Sequence, residues 1–137
     1  MIVLDTNVLS EPLRTEPAPK VMEWLDKQNA ETLFITAISR AELRFGVLKL
    51  PDGKRKNALA TRIEQVLDLF NGRTLDFDAA AADKLAQIAV DCEKMGKRAI
   101  APDMYIAACA AVRGFAVATR NVKHFEHTGV RVINPWE

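Results

Sequence analysis

Ile2-Val3-Leu4-Asp5-Thr6-Asn7 sets an apolar triplet directly against a polar one. Three apolar residues without polar alternation read as a short strand buried on both faces, and such strands belong to parallel sheets covered by helices. Outward from that stretch, Leu33–Thr36, Thr74–Phe77, Phe115–Thr119 and Val130–Ile133 read as further strands. Between them lie helical patterns. Pro17 and Pro19 open one that runs to about Gln28. Ser39 to about Leu50 is a second, closed by the turn Pro51-Asp52-Gly53. Arg55 to about Phe70 is a third, ended by Gly72, with Leu59, Ile63, Val66 and Leu67 on one face. Asp78 is a natural N-cap for a fourth, through about Met95, which Gly96 stops. Pro102 starts the last, to Val112, which ends at Gly114. Strand and helix in alternation predict an α/β fold in three layers: a parallel central sheet, helices on both faces, and the helices from Ser39 and Arg55 as an inserted αα-hairpin.

With 137 residues the chain is one domain's worth, 1–137, with no linker or repeat. Its 49% hydrophobic and 27% charged residues are ordinary for a globular domain and argue against disorder or a membrane protein. The short apolar N-terminus lacks a basic flank and cannot span a bilayer, so a cytoplasmic, unexported protein is expected. Cys92 and Cys109, in alanine-rich helical stretches, read as buried reduced thiols and not as a disulfide framework or zinc ligands. A net charge of +1 leaves nucleic-acid contact to local clusters. Lys54-Arg55-Lys56 reads as a steering patch or a solvated turn. Arg40 and Arg44 share one side of a helix and read either as RNA or partner contacts or as surface solubility.

In open parallel sheets, ligands bind beyond the carboxyl ends of the strands near the switch in strand order. Asp5 follows the first strand, and Thr119, Arg120 and Asn121 follow the fourth. Glu42 falls in the first turn of the helix after the second strand, and Asp103 in the first turn of the helix before the fourth. Carboxylates gathered in one cleft repel one another unless a cation neutralises them. Oxygen ligands suit Mg²⁺ or Mn²⁺, which serve phosphodiester hydrolysis. Each acid also has a plainer reading. Ser39-Arg40-Ala41-Glu42 is a capping box by itself. Asp103 complements a helix dipole. Asp5-Thr6-Asn7 reads as a polar turn. Asp76 and Asp78 end a strand and read as caps. His124 and His127 read as an exposed polar pair. A phosphatase using Asp5 as nucleophile would want a second aspartate two residues on, where Asn7 stands.

Four segments in order resemble the acidic motifs of PIN-domain nucleases over essentially the whole chain. They are Ile2-Val3-Leu4-Asp5-Thr6-Asn7-Val8-Leu9-Ser10, Ser39-Arg40-Ala41-Glu42-Leu43, Ala101-Pro102-Asp103-Met104-Tyr105-Ile106-Ala107-Ala108, and Ala118-Thr119-Arg120-Asn121 followed by Phe125 and Val132-Ile133-Asn134-Pro135-Trp136. Within that family, Ser10-Glu11-Pro12-Leu13-Arg14 and the hairpin with Lys54-Arg55-Lys56 resemble the FitB-like group of VapC-type toxins. The resemblance implies an Mg²⁺- or Mn²⁺-dependent endoribonuclease that inhibits translation as the toxin of a type II toxin–antitoxin system. It also implies a VapB-like or FitA-like antitoxin, a homodimer, operator DNA reached only through the antitoxin, and RNA substrates with tRNA first by analogy. It carries the catalytic and metal-holding positions onto Asp5, Glu42 and Asp103, with Asn121 fourth. Thr6 and Asn7 would hold Asp5, Thr119 would position a ligand or water, and Arg120 would meet substrate phosphate or an acid. The fourth position is often aspartate in the family. A neutral Asn121 can offer an oxygen but does not neutralise a second cation, so the expectation is one tightly held ion, or a second that arrives with substrate phosphate, in place of a standing two-metal centre. A catalytically weak module serving a DNA-binding regulatory complex is the alternative. The hairpin's Phe45, Val47 and Leu48, with Leu59, Ile63, Val66 and Leu67, offer more apolar surface than a small insertion buries alone; part is expected to meet a partner or a second subunit.

Overall fold

Val3 and Leu4 point to opposite faces of one strand, and each enters a different core. Val3 packs with Val117, Ile88, Ile106 and Phe125. Leu4 packs with Ala118, Ile35, Val21 and Ile63. In the computed structural model, which describes residues 1–98 and 101–137, those cores are the two sides of one five-stranded sheet. Its strands are β1 (Ile2–Leu4), β2 (Leu33–Thr36), β3 (Thr74–Leu75), β4 (Ala116–Ala118) and β5 (Val132–Ile133). The order is β3-β2-β1-β4-β5, and all pairs are parallel. The three-layer expectation holds. Helices α1 (Thr6–Ser10), α2 (Pro19–Lys27), α3 (Ala37–Leu48) and α4 (Lys54–Leu69) supply the Leu4 core. Helices α5 (Ala79–Lys94) and α6 (Ala101–Arg113) supply the Val3 core.

The strand order reverses between β1 and β4. Leu4 pairs with Ala118 there, so Asp5 and Thr119 leave the sheet side by side. Asp5 keeps contact with β4 after β1 ends, its N–H donating to the Ala118 carbonyl at 2.9 Å. Several boundaries follow local chemistry. The Asp78 carboxylate accepts from the Ala81 N–H at 2.9 Å and caps α5. The Asp76 side chain makes no such cap among the described residues; its carbonyl lies 3.7 Å from Cys109 Sγ. Gly114 takes φ 71° after α6, a left-handed turn that costs glycine little.

Three readings need correction. The polar run from Asp5 is not a turn, because Asp5 is the N-cap of α1. The third strand stops at Leu75, short of Phe77. The helix expected from Ser39 to about Leu50 is α3, which begins at Ala37 and ends at Leu48, two residues earlier at each end.

The hairpin formed by α3 and α4 buries Val47, Ile63 and Leu67 in the domain's own core, while Phe45 and Leu48 stay 66% and 68% exposed. Its packing therefore accounts for part of the apolar surface and leaves the α3 tip uncovered. Arg62 ties α4 to the short turn Glu11–Leu13, donating to the carbonyls of Pro12 and Leu13 at 2.9 and 3.1 Å. Glu11, only 3% exposed, accepts from the Ala18 N–H and from Arg14, each at 3.0 Å. Trp24 and Trp136 pack at the edge of the same core, as expected for residues that pin down a helix and a chain end.

Cys92 and Cys109 are free and buried, as their sequence context predicts. Burial pushes the Cys109 thiol up to about 11. The thiolate is the reactive form, so native protein should resist iodoacetamide near neutral pH while denatured protein is alkylated at both cysteines. Mass spectrometry reads the difference. Rapid native modification of Cys109 would contradict this packing.

Among the described residues no helix is long and apolar enough to cross a membrane.

Candidate functional site

Asp5 is held from three directions. Its Oδ1 accepts from the Thr6 N–H at 2.8 Å. Its Oδ2 accepts from the Thr119 hydroxyl at 2.7 Å and from the Asn7 amide at 3.2 Å. Thr119 is itself fully buried and accepts from the Asn121 N–H at 3.0 Å. The Arg120 N–H reaches Asn7 Oδ1 at 3.3 Å. These bonds stitch the end of β1 to the end of β4 and fix the Asp5 carboxylate at the seam.

Glu42 is not a helix cap. Helix α3 is capped by Thr36, whose hydroxyl accepts from the Ser39 N–H at 3.2 Å. The capping box expected at Ser39 does not form, because Ser39 is buried with its hydroxyl 2.8 Å from that of Thr6. Glu42 then falls in the second turn of α3, where its Oε1 accepts from the Thr6 hydroxyl at 2.7 Å. Thr6 therefore serves two acids, Asp5 through its backbone and Glu42 through its side chain.

Asp103 lies in the first turn of α6 and is 8% exposed. Its Oδ2 stands 2.7 Å from His124 Nδ1. The sequence reading placed His124 and His127 together as exposed polar residues. His127 is exposed, in a left-handed conformation with φ 66°. His124 is exposed as well, its side chain at 38%, but its ring also bonds Asp103. It rides on the turn Val122–Phe125, which the buried Phe125 anchors to the core. That neighbouring Phe125 was the one sequence signal that this segment is drawn inward.

Charge accumulates here without full compensation. Burial raises the Asp5 carboxyl above its ordinary range, against the opposing bonds from Thr119 and Thr6 and the charge of His124. Hydrogen bonds to a charged group contribute ~1.5–3 kcal/mol each, yet loss of hydration outweighs them at this depth. Asp103 is raised by burial first and then by the nearby Asp5 charge, with Glu42 adding and His124 opposing. Asp103 thus feels both of the other acids. Among the described residues, however, no three His, Cys, Asp or Glu side chains close around a common point as a ready-made metal cluster.

The donor set suits a hard divalent cation. Glu42 and Asp103 each have one oxygen engaged and the other without a hydrogen-bond partner among the described residues. Asp5 Oδ2 already accepts twice and Oδ1 once, so a lone pair remains on Oδ1. Three one-point oxygen donors match Mg²⁺ or Mn²⁺, which keep several waters when held by carboxylates.

Other predicted residues fall differently. The side chain of the exposed Asn121 makes no cap; its backbone N–H is what braces Thr119. The Arg120 guanidinium lies over the Trp136 ring at 5.3 Å, and among the described residues it pairs with no acid. Arg44 pairs with Glu64 across the hairpin. Lys56 is drawn into the turn by Asp52 at 3.1 Å and the Leu48 carbonyl at 3.2 Å, so the basic run there is partly structural.

A family model described as "PIN domain" matches residues 2–130. The chain is 46% identical to VapC ribonuclease Y4jK of Sinorhizobium fredii, covering 100% of this chain and 99% of that one. It is 48% identical to toxin FitB of Neisseria gonorrhoeae, covering 99% of each. Among solved structures, FitAB bound to the IR36 DNA fragment superposes with a TM-score of 0.96 at 47% identity, covering 100% of this chain and 96% of that one.

Proposed function

Because this chain belongs to the PIN-domain family, we propose that it is a metal-dependent endoribonuclease, a single domain over residues 1–137 and the toxin of a type II toxin–antitoxin pair. One observation carries the reading: beside the switch between β1 and β4, Asp5 and Glu42 share Thr6, and Asp103 lies near enough for both their charges to raise its carboxyl, each acid keeping oxygen capacity to spare. The names of the full-length relatives, a VapC ribonuclease and the toxin FitB, supply the substrate class and the biological setting.

Asp5, Glu42 and Asp103 would hold Mg²⁺ or Mn²⁺, which when bound polarises a phosphoryl oxygen and acidifies water. The rest of the work falls to this chain. Thr119, Asn7 and the Thr6 backbone hold Asp5, while the Thr6 hydroxyl aims Glu42. Asn121, at the mouth of the same seam, offers a neutral oxygen to a water or a ribose hydroxyl. Translation would stop through cleavage of RNA, with tRNA the first class to examine. A FitA-like or VapB-like antitoxin would restrain the enzyme in the cytoplasm, and operator DNA would be reached through that partner. The exposed Phe45 and Leu48 fit a homodimer or antitoxin contact.

A second reading, a weak nuclease retained for a DNA-bound regulatory complex, draws on the FitAB structure on DNA and on the uncharged Asn121. Expressing the chain alone and sequencing RNA ends separates the two. New ends and arrested growth, both reversed by co-expression of the neighbouring small gene, are expected. Normal growth with no new ends would overturn the nuclease reading.

A further inference from the structure

We infer that His124 is the positioning residue for Asp103: its Nδ1–H, 2.7 Å from Asp103 Oδ2, holds that carboxylate in the cleft with Oδ1 turned free of hydrogen bonds for a metal ion. This rests on the reading of Asp5, Glu42 and Asp103 as metal ligands.

The three acids are supported unequally. Asp5 accepts from Thr6, Asn7 and Thr119. Glu42 accepts from Thr6. Asp103 has a single side-chain partner among the described residues, and it is His124. Asp5 and Glu42 both repel the Asp103 charge. A carboxylate so placed at the start of a helix can relieve that repulsion by rotating toward solvent. An ionised carboxylate only accepts, so the hydrogen in the bond belongs to Nδ1.

His124 can act as a fixed post because its own backbone is pinned. Its N–H donates to the Asn121 carbonyl at 3.0 Å. The adjacent Phe125 is 1% exposed, and the buried Thr128 hydroxyl donates to the Phe125 carbonyl. The turn Val122–Phe125 thus starts at Asn121, beside Asp5, and ends in the core behind α6. Where the family often has an aspartate, this chain has the neutral Asn121, and a histidine three residues later supports the third acid. Outer partners of metal-binding side chains typically change metal affinity by ~10–100-fold.

Titrating the purified full chain with Mn²⁺ and following free Mn²⁺ by electron paramagnetic resonance tests the assignment. His124→Ala is expected to weaken binding by ~10–100-fold. His124→Asn should restore it, because the asparagine amide nitrogen lies the same number of bonds from Cα as Nδ1. His124→Gln, whose amide reaches the place of the other ring nitrogen, should not. Metal-free melting curves check that all three variants are folded before titration. Wild-type affinity in His124→Ala would overturn the inference alone, as would restoration by His124→Gln in place of His124→Asn. Absence of Mn²⁺ uptake by the wild-type chain would overturn the metal reading and this inference together.

Discussion

Asp103→Asn is expected to lower RNA cleavage by at least ~10²-fold and, in the same protein, to raise the melting temperature of the metal-free form. The first effect removes a charged oxygen donor from the metal site. The second follows from burial and from the Asp5 and Glu42 charges, which make an ionised Asp103 costly to fold. Asparagine keeps the shape, and His124 can meet either end of an amide by changing tautomer. Because the folded-state pKa is raised above the ordinary 3.8, folded protein binds more protons than unfolded protein between the two values. The penalty is therefore absent below the unfolded value and complete above the folded one. The stability gap between Asp103→Asn and wild type should open as pH rises through that window and close in acid. Thermal melts across pH with a chelator present measure it. A gap of the opposite sign, or one flat with pH, would contradict the electrostatic account. Asp5→Asn is expected to be equally inactive but less stable than wild type. Both Asp5 oxygens accept from donors, so an amide NH₂ meets a donor either way round.

Thr119→Val should destabilise the fold by ~1–3 kcal/mol for the groups left unpaired and cut activity as well. Valine matches the shape of threonine, but the Thr119 hydroxyl, at zero exposure, has two short bonds besides a longer one accepted from the Asn7 amide at 3.5 Å. It donates to Asp5 Oδ2 at 2.7 Å and accepts from the Asn121 N–H at 3.0 Å. Without it, a backbone N–H loses its acceptor and the most buried acid of the site loses a bond that favours its charged form. Thr119→Ser keeps both bonds and should recover most of the stability and cleavage. Urea denaturation and an RNA cleavage assay supply the readings. Equal stability of Thr119→Val and wild type would show that the seam between β1 and β4 does not depend on this hydroxyl.

The residues that were legible share one property: their structural role is decided within a few positions of chain. Ile2–Leu4 and Leu33–Thr36 match strands to the residue, because a short apolar run in an alternating pattern has few other places to go. Asp78 caps α5, and Gly114 ends α6, through bonds and torsions local to themselves. Asp5 was visible for the same reason: it follows a buried strand immediately, and parallel sheets place such residues at their ligand edge.

Other roles were decided at long range. Thr36 and Ser39 are both sound N-caps, three residues apart. Thr36 takes the role because Ser39 is buried against Thr6, thirty-three positions away in the chain. That choice moves Glu42 into the second turn and frees it from capping. His124 and His127 are the same residue type in one short segment, and only the burial of Phe125 separates a partner of Asp103 from a solvated side chain. Arg120 was open to a phosphate or an acid; the packed C-terminus sets its guanidinium over the Trp136 ring, and among the described residues it pairs with no acid. By itself the amino-acid order determined the layers, the bounds of β1 and β2 and the cap of α5, since periodicity and caps act locally. Which oxygen of each acid is engaged, and that a histidine stands behind Asp103, only the tertiary structure decided, because those bonds join residues that the chain keeps far apart.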